Sequence, residues 1–414
     1  MNAPHTRHID VLVVGAGPAG SSAAAWLARS GREVLLADAE EFPRDKPCGD
    51  GLTPRAIAEL HRLGLEEWLK TKPRNLGLRA NGFGQQLHLP WNGGSLPSHG
   101  SAAPRTVLDA KIREVAIASG AQPLEAAQAT DVEMKDGRIH AVIFKQFGAI
   151  TRIEPKVVVV ADGARSQLGR LLGREWHRDT AYGVAARGYI SSERTNDQWI
   201  TSHLELRGSK NEILSGYGWI FPLGDGTVNI GVGTLATSKR PADINLRQLL
   251  DFYTDGQREE WKLSGKVEKP WSALLPMGGA VSNVAGKNWL LIGDAAGCVN
   301  PLNGEGIDYG LETGRLAAEF LQHGEKDFTD KWPNILRHHY GAAFSAARRI
   351  AGILTVPEVI KYGGPIGMRS RWLMEIALRV MGNLVTEDDK DALAHVWRGV
   401  GRASLLVDQR KPFS

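Results

Sequence analysis

Residues 9–20 read IDVLVVGAGPAG, a largely apolar run that leads directly into closely spaced glycines. The run IDVLVV is typical of a buried parallel strand. The glycines fit the spacing G-x-G-x-x-G, and the small residues after them indicate a helix packed closely on a sheet. A second buried strand, EVLLADA at 33–39, completes a βαβ unit.

Each glycine of this turn has a separate physical purpose. Gly15 permits the tight turn, Gly17 lets the backbone approach a pyrophosphate, and Gly20 allows close contact between helix and strand. The phosphates would lie at the helix N-terminus, where free amides and the helix dipole favour an anion. Asp38 closes the second strand, where its carboxylate can accept hydrogen bonds from a ribose. The predicted dinucleotide-binding residues are Gly15, Ala16, Gly17, Pro18, Ala19, Gly20 and Asp38.

Two later turns favour FAD over NAD(P) as the dinucleotide. ADGARS at 161–166 and GDAA at 293–296 each end a buried strand, and Asp294 could bond the ribityl chain of a flavin. PLNGEGI at 301–307 then opens a helix whose positive end can stabilise a reduced flavin. No second G-x-G-x-x-G follows a later strand, so we expect no separate NAD(P)-binding domain. The electrons would then come from a donor that binds only transiently or from another protein, and the identity of this donor is unknown.

The composition is that of an ordinary globular protein, with 414 residues, 42% apolar and 23% charged. Only Cys48 and Cys298 are present, so spacing indicates neither a disulfide framework nor a metal site. The sequence shows no signal peptide and no run of 18 apolar residues, which predicts a cytoplasmic protein. Residues 331–414 hold 13 Lys and Arg against seven Asp and Glu, but in no recognised nucleic-acid module.

The order of strand and helix patterns predicts a discontinuous organisation. The fold class is α/β and α+β: a Rossmann-like FAD-binding domain, an inserted β-sheet substrate domain and a helical C-terminal region. We assign residues 1–75, 101–175 and 271–345 to the FAD-binding domain and 76–100 with 176–270 to the sheet domain. Residues 346–414 form the helical region. Helices are expected at 55–69, 107–119 and near 244–254, with a hairpin closed at Asp136-Gly137.

The segment 215–233, SGYGWIFPLGDGTVNIGVG, combines aromatic residues with glycines that normally weaken a strand. Alternation places Tyr217, Trp219 and Phe221 on one face of a strand. We expect this face to wall a long apolar groove, with the small face of the strand against the sheet. An aromatic core stripe is the alternative.

Together GAGPAG, KPCGDGL at 46–52, YGWIFP at 217–222 and GDAAGCVNPLNGEGI at 293–307 resemble the FAD-dependent geranylgeranyl reductase family. Within that family DKPCGDGLTPRAIAELHRLG, ALLPMGGAVS and GEGIDYGLETGRLAAE resemble the menaquinone reductase branch, which saturates an isoprene unit of the quinone side chain. The resemblance covers almost the whole chain. One departure is Leu214, where some members have proline before the aromatic signature.

The resemblance implies roles for individual residues. Ala16 to Gly20 would wrap the pyrophosphate, and Tyr217 with Trp219 would line the substrate cavity. Arg105 would lie near the cofactor phosphates and ribose, and Ala129 near the adenine. The residues implied to surround the flavin are Cys48, Gly49, Asp50, Gly51, Asp294, Gly306 and Ile307.

The implied reaction is hydride transfer from reduced FAD to an isolated alkene of a polyprenyl lipid, with menaquinone favoured, and protonation of the other carbon. Cys48 is the leading candidate for the proton donor, and Tyr217 or a bound water stays open. The alternatives are a geranylgeranyl lipid or diphosphate reductase, a flavin-dependent aromatic hydroxylase, and a flavoprotein without alkene chemistry.

A C-terminal segment predicts contact with a membrane surface. In RSRWLMEIALRVMGNL (369–384) apolar residues recur with helical spacing, and arginines lie largely off that face. Such a helix can cover the substrate tunnel, lie in the interface of an anionic membrane, or pack as an ordinary amphipathic helix. Because menaquinone resides in a bilayer, we expect peripheral contact with the cytoplasmic membrane face.

Overall fold

A computed structural model describes residues 5–92 and 94–414. Residues 1–4 of the predicted FAD-binding domain and residue 93 of the predicted sheet domain lie outside the described residues. The strands are β1 (His5–Val14), β2 (Val34–Ala37), β3 (Gly51–Leu52), β4 (Arg74–Asn75), β5 (Gly77–Gly82), β6 (Gln85–Pro90), β7 (Gly100–Ala102), β8 (Gln122–Leu124), β9 (Ala127–Lys135), β10 (Arg138–Gln146), β11 (Ala149–Val160), β12 (Glu175–Trp176), β13 (Tyr182–Ser192), β14 (Trp199–His203), β15 (Gly216–Pro222), β16 (Thr227–Ala236), β17 (Leu263–Leu275), β18 (Val281–Ser282) and β19 (Trp289–Leu291).

The helices include long ones around the first sheet and a run of them near the C-terminus. They are α1 (Pro18–Arg29), α2 (Pro54–Arg62), α3 (Glu66–Leu69), α4 (Arg105–Ala118), α5 (Gln167–Leu171), α6 (Leu246–Trp261), α7 (Ile307–Gln322), α8 (Lys331–Leu336), α9 (Ala342–Leu354), α10 (Pro357–Met368), α11 (Arg371–Met381) and α12 (Ala392–Leu406). A 3₁₀ turn covers Gly293–Ala296, and a π-helical turn, Arg337–Gly341, joins α8 to α9. Along the described ranges, none of the helices is both long and apolar enough to cross a membrane.

The first sheet has the strand order β8-β2-β1-β11-β10-β9, and β19 also pairs with β11. Strands β8, β2, β1, β11 and β19 run parallel, and β10 and β9 form an antiparallel hairpin. Helix α1 packs between α4 and α7. Because β1, β11 and β19 are neighbours, the turns that follow them meet at one edge of the sheet.

The second sheet has the order β17-β13-β16-β15-β14-β5-β6. One face packs against α6 through buried residues such as Ile220, Ile230 and Val232. The other face is turned toward the loop that connects β2 to β3. The division of the chain into domains at the predicted boundaries stays a prediction.

The structure agrees with most predicted elements and differs in their bounds. The Asp136-Gly137 hairpin is present, with φ of 53° and 74° at its two turn residues. The helix predicted at 55–69 is wrong as a single element, because α2 ends at Arg62 and Gly64 adopts φ of 88°. Helix α6 runs seven residues beyond the predicted Thr254, to Trp261.

Candidate active site

In the glycine turn between β1 and α1, a ligand can approach the backbone at one of the three glycines. A Cβ on Gly15 would lie 2.2 Å from the carbonyl oxygen of Ala161, and one on Gly20 would lie 1.7 Å from the Gly15 oxygen. Both glycines are therefore required by contacts within the chain. At Gly17, which caps α1, the nearest atom to such a Cβ is the flexible end of Arg44 at 3.4 Å. The open side of the turn is thus at Gly17, where a phosphate could approach the helix amides.

Asp38 is buried beside this turn, and its carboxylate holds the backbone in place. One oxygen accepts from the Ala16 amide at 2.6 Å and the other from the Glu40 amide at 3.0 Å. Arg44 lies 3.6 Å from the second oxygen. Ala129 lies nearby, since the amide of Ala127 in the same strand donates to the Asp38 carbonyl at 2.8 Å.

Arg105 begins α4 and is buried with its guanidinium paired inside the protein. It forks the carboxylate of Asp109 at 2.7 and 2.8 Å, and Arg44 donates to the same carboxylate at 2.9 Å. Arg105 also acts on Cys48, where its positive charge opposes the effect of burial on the thiol pKa. The contact of Arg105 with a cofactor phosphate or ribose stays a prediction.

Asp294 lies in the 3₁₀ turn after β19, within reach of two other predicted site elements. Lys46 donates to its carboxylate at 3.0 Å, and a Cβ on Gly306 would lie 3.1 Å from its second oxygen. Asp162, in the turn after β11, instead binds its own turn through Ser166 at 2.6 Å and the Leu168 amide at 2.8 Å. Of the two acidic turns, only the one at Asp294 has a carboxylate placed beside the start of α7.

The loop from Asp45 to Gly51 is tied to the second sheet by a buried arginine. Arg187 of β13 donates to the Asp45 carboxylate at 2.6 Å, the Lys46 carbonyl at 2.7 Å and the Cys48 carbonyl at 3.2 Å. Asn229 of β16 donates to the Cys48 carbonyl at 2.9 Å. The loop is therefore held over the sheet by side chains far from it in sequence.

Asp50 lies at the centre of this loop, with φ of 62° and no exposed surface. Its Oδ2 accepts hydrogen bonds from Tyr189 at 2.7 Å and Asn229 at 2.8 Å, and Oδ1 is buried without a partner in the described part of the chain. Burial raises the pKa of Asp50 to about 6, against the opposing effect of these hydrogen bonds.

The aromatic residues of β15 line the face of the sheet that carries Arg187 and Asn229. Trp219 donates to Asn229 at 2.9 Å, and Tyr217 donates to the Asn303 carbonyl at 2.5 Å. A Cβ on Gly51 would lie 2.9 Å from the Phe221 ring. All three aromatic rings therefore lie between the sheet and the loops at 48–51 and 301–307.

The glycines around this strand leave room for rings on both faces. Gly231 of β16 lies directly under Trp219, because a Cβ there would be 2.1 Å from the indole. Gly218 accommodates Tyr253 of α6, at 2.4 Å from such a Cβ. The expectation that the small face lies against the sheet is wrong, since that face packs against α6.

Comparison with known proteins places the chain among flavoenzymes. A family model described as an FAD binding domain matches residues 8–203. The menaquinone reductase of Mycolicibacterium smegmatis is 59% identical over 407 residues, covering 98% of this chain and 99% of that protein. The chain belongs to the menaquinone reductase branch of the geranylgeranyl reductase family.

More distant similarities also lie among prenyl-lipid reductases and among solved structures of the same fold. Digeranylgeranylglycerophospholipid reductase 1 of Methanopyrus kandleri is 28% identical over 367 residues, covering 85% of this chain and 93% of that protein. A geranylgeranyl bacteriochlorophyll reductase-like structure from Thermoplasma acidophilum aligns with a TM-score of 0.78 at 19% identity, covering 95% and 100% of the two chains. The predicted fold class, the FAD cofactor and the class of FAD-dependent oxidoreductase are confirmed.

The residues present fit an FAD in this reductase. The open side of Gly17 at the N-terminus of α1 suits a pyrophosphate. The close approach of Gly306 to Asp294 requires a residue without a side chain before α7, and this leaves backbone that a ligand could approach closely. The assignment of individual residues to the cofactor stays a prediction.

Several residues of this site were not found by sequence reasoning. Arg187, Tyr189 and Asn229 contact the Asp45–Gly51 loop from strands more than 130 residues away. Arg187 and Tyr189 lie in β13 and Asn229 lies in β16, and the only available signal was the presence of polar side chains within these largely apolar strands. Glu305 was quoted within the PLNGEGI motif but given no role.

Proposed function

We propose that this reductase uses FAD to saturate one C=C bond in the isoprenoid side chain of menaquinone. The observation that supports this most directly is the aromatic face of β15, which lies against the Cys48–Gly51 loop. A polyprenyl chain contains only carbon and hydrogen, so its binding depends on burial against such apolar walls, at roughly 25 cal/mol per Å². The name of the relative from M. smegmatis favours menaquinone over other prenyl lipids.

Residues from seven places in the chain would hold the cofactor. The turn from Gly15 to Gly20 and Asp38 would bind the pyrophosphate and ribose, with Arg105 and Ala129 on the adenosine side. The loop at 48–51 would lie against the isoalloxazine, and Asp294 with Gly306 and Ile307 would bind its ribityl and pyrimidine parts. When bound and reduced, FAD supplies a hydride.

Side chains of the protein would position the alkene, exclude water and supply a proton. Tyr217, Trp219 and Phe221 would exclude water and hold the alkene in a fixed position, which an unactivated double bond requires. Their faces would stabilise positive character that develops on the more substituted carbon. Burial raises the pKa of the Cys48 thiol, so this group stays protonated at neutral pH and can donate a proton.

Mass spectrometry of lipids after incubation with the dithionite-reduced protein tests the proposal. A gain of two hydrogens on the menaquinone side chain is expected. A gain on geranylgeranyl lipid alone would support C=C saturation as the reaction but would show that the substrate is not menaquinone. Absence of product together with substrate-dependent oxygen consumption would favour a hydroxylase and overturn the proposal.

Contact with a membrane surface is proposed for α10 and α11. Large apolar side chains stand exposed on both helices, with Tyr362, Ile366 and Trp372 each about two-thirds exposed. Lys361, Arg369 and Arg371 lie in the same segment and would attract an anionic surface. The buried side of α11 is provided by Leu378. This contact would place the enzyme on the cytoplasmic face, where its substrate is accessible.

A double variant tests the membrane proposal. Ile366→Ser with Trp372→Ser should reduce co-sedimentation with vesicles of phosphatidylglycerol and phosphatidylcholine, and high salt should reduce it in the wild type. The matched control is Val107→Ser, an exposed apolar residue on α4. Equal sedimentation of the double variant and the wild type, with equal melting temperatures, would contradict the proposal.

A further inference from the structure

Three groups able to hold a proton lie around the turn that precedes α7. Cys48 lies on the loop before β3, Tyr217 on β15, and Glu305 in the turn before α7. The charge of Glu305 raises the pKa of both Cys48 and Tyr217, which places the three groups in one electrostatic site. Any of them could in principle protonate an alkene bound against the aromatic face.

The carboxyl group of Glu305 is fixed on one side and free on the other. Its Oε1 accepts from the amides of Ile307 at 3.1 Å and Asp308 at 3.4 Å. Its Oε2 has no hydrogen-bond partner in the described ranges, and the side chain is half-buried. One oxygen is therefore anchored to the helix while the other is available to a ligand.

The same turn connects Glu305 to the predicted substrate wall. The Glu305 amide donates to the Asn303 side chain at 2.8 Å, and Tyr217 donates to the Asn303 carbonyl at 2.5 Å. On the neighbouring Gly304, a Cβ would lie 3.4 Å from Leu275 and 3.5 Å from Met277. The carboxyl thus belongs to a turn that touches both the aromatic strand and apolar side chains.

We propose that Glu305 is the proton donor for alkene saturation, an inference that rests on the proposed function. The O–H bond at Oε2 breaks as a C–H bond forms on one alkene carbon. The other carbon receives the hydride, with its electron pair, from the reduced flavin. The Glu305 carboxylate that remains is stabilised by the amides of Ile307 and Asp308, and a solvent proton restores the acid after product release.

Acid strength distinguishes Glu305 from its two neighbours. Burial, and after it the negative charge of Asp308, raises the pKa of Glu305 to about 8, while Arg105 opposes that rise. Burial raises the pKa of Cys48 and Tyr217 above values that are already alkaline. A general acid works best with a pKa near the operating pH, so Glu305 is the best matched of the three. The charged and titratable groups that interact with it electrostatically are Asp308 on α7, Arg105 on α4, Cys48 and Tyr217.

Glu305→Gln is the first test, because glutamine keeps an acceptor for the helix amides and cannot donate a carboxyl proton. Its rate of saturation should fall by about 10²–10⁴-fold, the usual range for loss of a general acid. Infrared spectroscopy of the substrate-free protein at pH 7 should show a protonated-carboxyl band that this variant loses. Glu319→Gln, an exposed position on α7, is the matched control and should change neither readout.

Asp308→Asn provides a second test that a purely structural role would not satisfy. Saturation requires protonated Glu305, so the rate should fall as pH rises through its pKa. Removing the Asp308 charge lowers that pKa and should move the fall to lower pH. The same pH dependence of the rate in Asp308→Asn and in the wild type would overturn the assignment of Glu305. This measurement tests the assignment even if Glu305→Gln fails to fold or to retain FAD.

The outcomes separate the donor from the proposed function. Saturated product from Glu305→Gln at nearly the wild-type rate, with Cys48→Ser inactive at that step, would overturn Glu305 as donor and leave the reductase intact. No saturated product from the wild type would overturn the proposed function.

Discussion

At the scale of single residues, Arg187 connects the two sheets through the loop that carries Cys48. Its side chain is 2% exposed and donates to three groups of the Asp45–Cys48 segment. A buried arginine without its partners is costly, and so is a carboxylate left alone. The position of this loop therefore depends on a charge supplied by β13.

Arg187→Met removes this charge while keeping most of the apolar stem. The variant should lose about 3–5 kcal/mol of unfolding free energy, since Asp45 remains without its partner. Urea denaturation of the apoprotein measures this loss. Arg258→Met, which breaks an exposed pair with Asp255, should cost at most about 1 kcal/mol. Equal losses in the two variants would contradict the role of Arg187.

Asp50 should make stability depend on pH in a direction opposite to that of most carboxylates. Its pKa is raised from 3.8 to about 6, so the folded state holds this proton more tightly than the unfolded state. The resulting stabilisation is complete below pH 3.8 and is lost as pH rises to about 6. It amounts to about 3 kcal/mol.

Asp50→Asn should flatten this contribution to the unfolding free energy between pH 4 and 6. Urea denaturation of the apoprotein at several pH values measures the slope, and Asp243→Asn, an exposed position, is the control. Identical slopes in wild type and Asp50→Asn would show that the buried carboxyl does not titrate as its surroundings indicate.

At the scale of elements, the sequence predicted which residues of the aromatic strand share a face, but not which residues of neighbouring elements contact them. Alternation was enough to place Tyr217, Trp219 and Phe221 on one face, because strand periodicity is local. It could not show that Gly231 lies beneath Trp219, or that Tyr253 fills the space at Gly218. Those contacts join β15 to β16 and α6, and pairing between strands is not encoded in the pattern of one strand.

Gly231→Ala should disturb the aromatic face without affecting the cofactor turns. The added Cβ would lie 2.1 Å from the Trp219 indole, so the ring must move away from the sheet. We expect KM for the prenyl substrate to rise, and the FAD content, measured by visible absorbance, to remain. Gly233→Ala places a Cβ at 3.5 Å from the same ring and should have a smaller effect. A larger effect at Gly233 would contradict this account of the strand.

At the scale of the whole molecule, the dinucleotide motif predicted much of the fold but few of the contacts that form the candidate site. IDVLVVGAGPAG predicts the β1–α1 turn because strand, glycines and helix are contiguous in sequence. The meeting of the Asp294 turn with Lys46 depends on β19 pairing with β11, across more than a hundred residues. Likewise, Arg187 reaches Cys48 only because the second sheet lies over the loop. Motifs of contiguous residues were recognisable, and single partners contributed by distant strands were not.

Phe413, close to the C-terminus, connects the helical C-terminal region to the segment beside the Asp294 turn. Phe413 is 1% exposed, packs against Phe344 and donates its amide to the Gly279 carbonyl at 2.9 Å. Gly279 in turn donates to the carbonyl of Gly297, the residue after the Asp294 turn, at 2.7 Å. Chain segments at 279, 297 and 413 thus form one packed unit beside the predicted cofactor site.

Phe413→Ala should therefore weaken both the fold and cofactor retention. Removing a fully buried phenylalanine costs about 3–5 kcal/mol, and the cavity would lie directly against Gly279. The melting temperature and the FAD retained after gel filtration should fall together, because the loosened segment supports the turn that carries Asp294. Phe147→Ala removes the same side chain where it is 81% exposed, and should leave both quantities near wild type. A lower melting temperature with full FAD retention would mean that Phe413 stabilises only the helical region, and that the flavin side is held independently by β19 and α7.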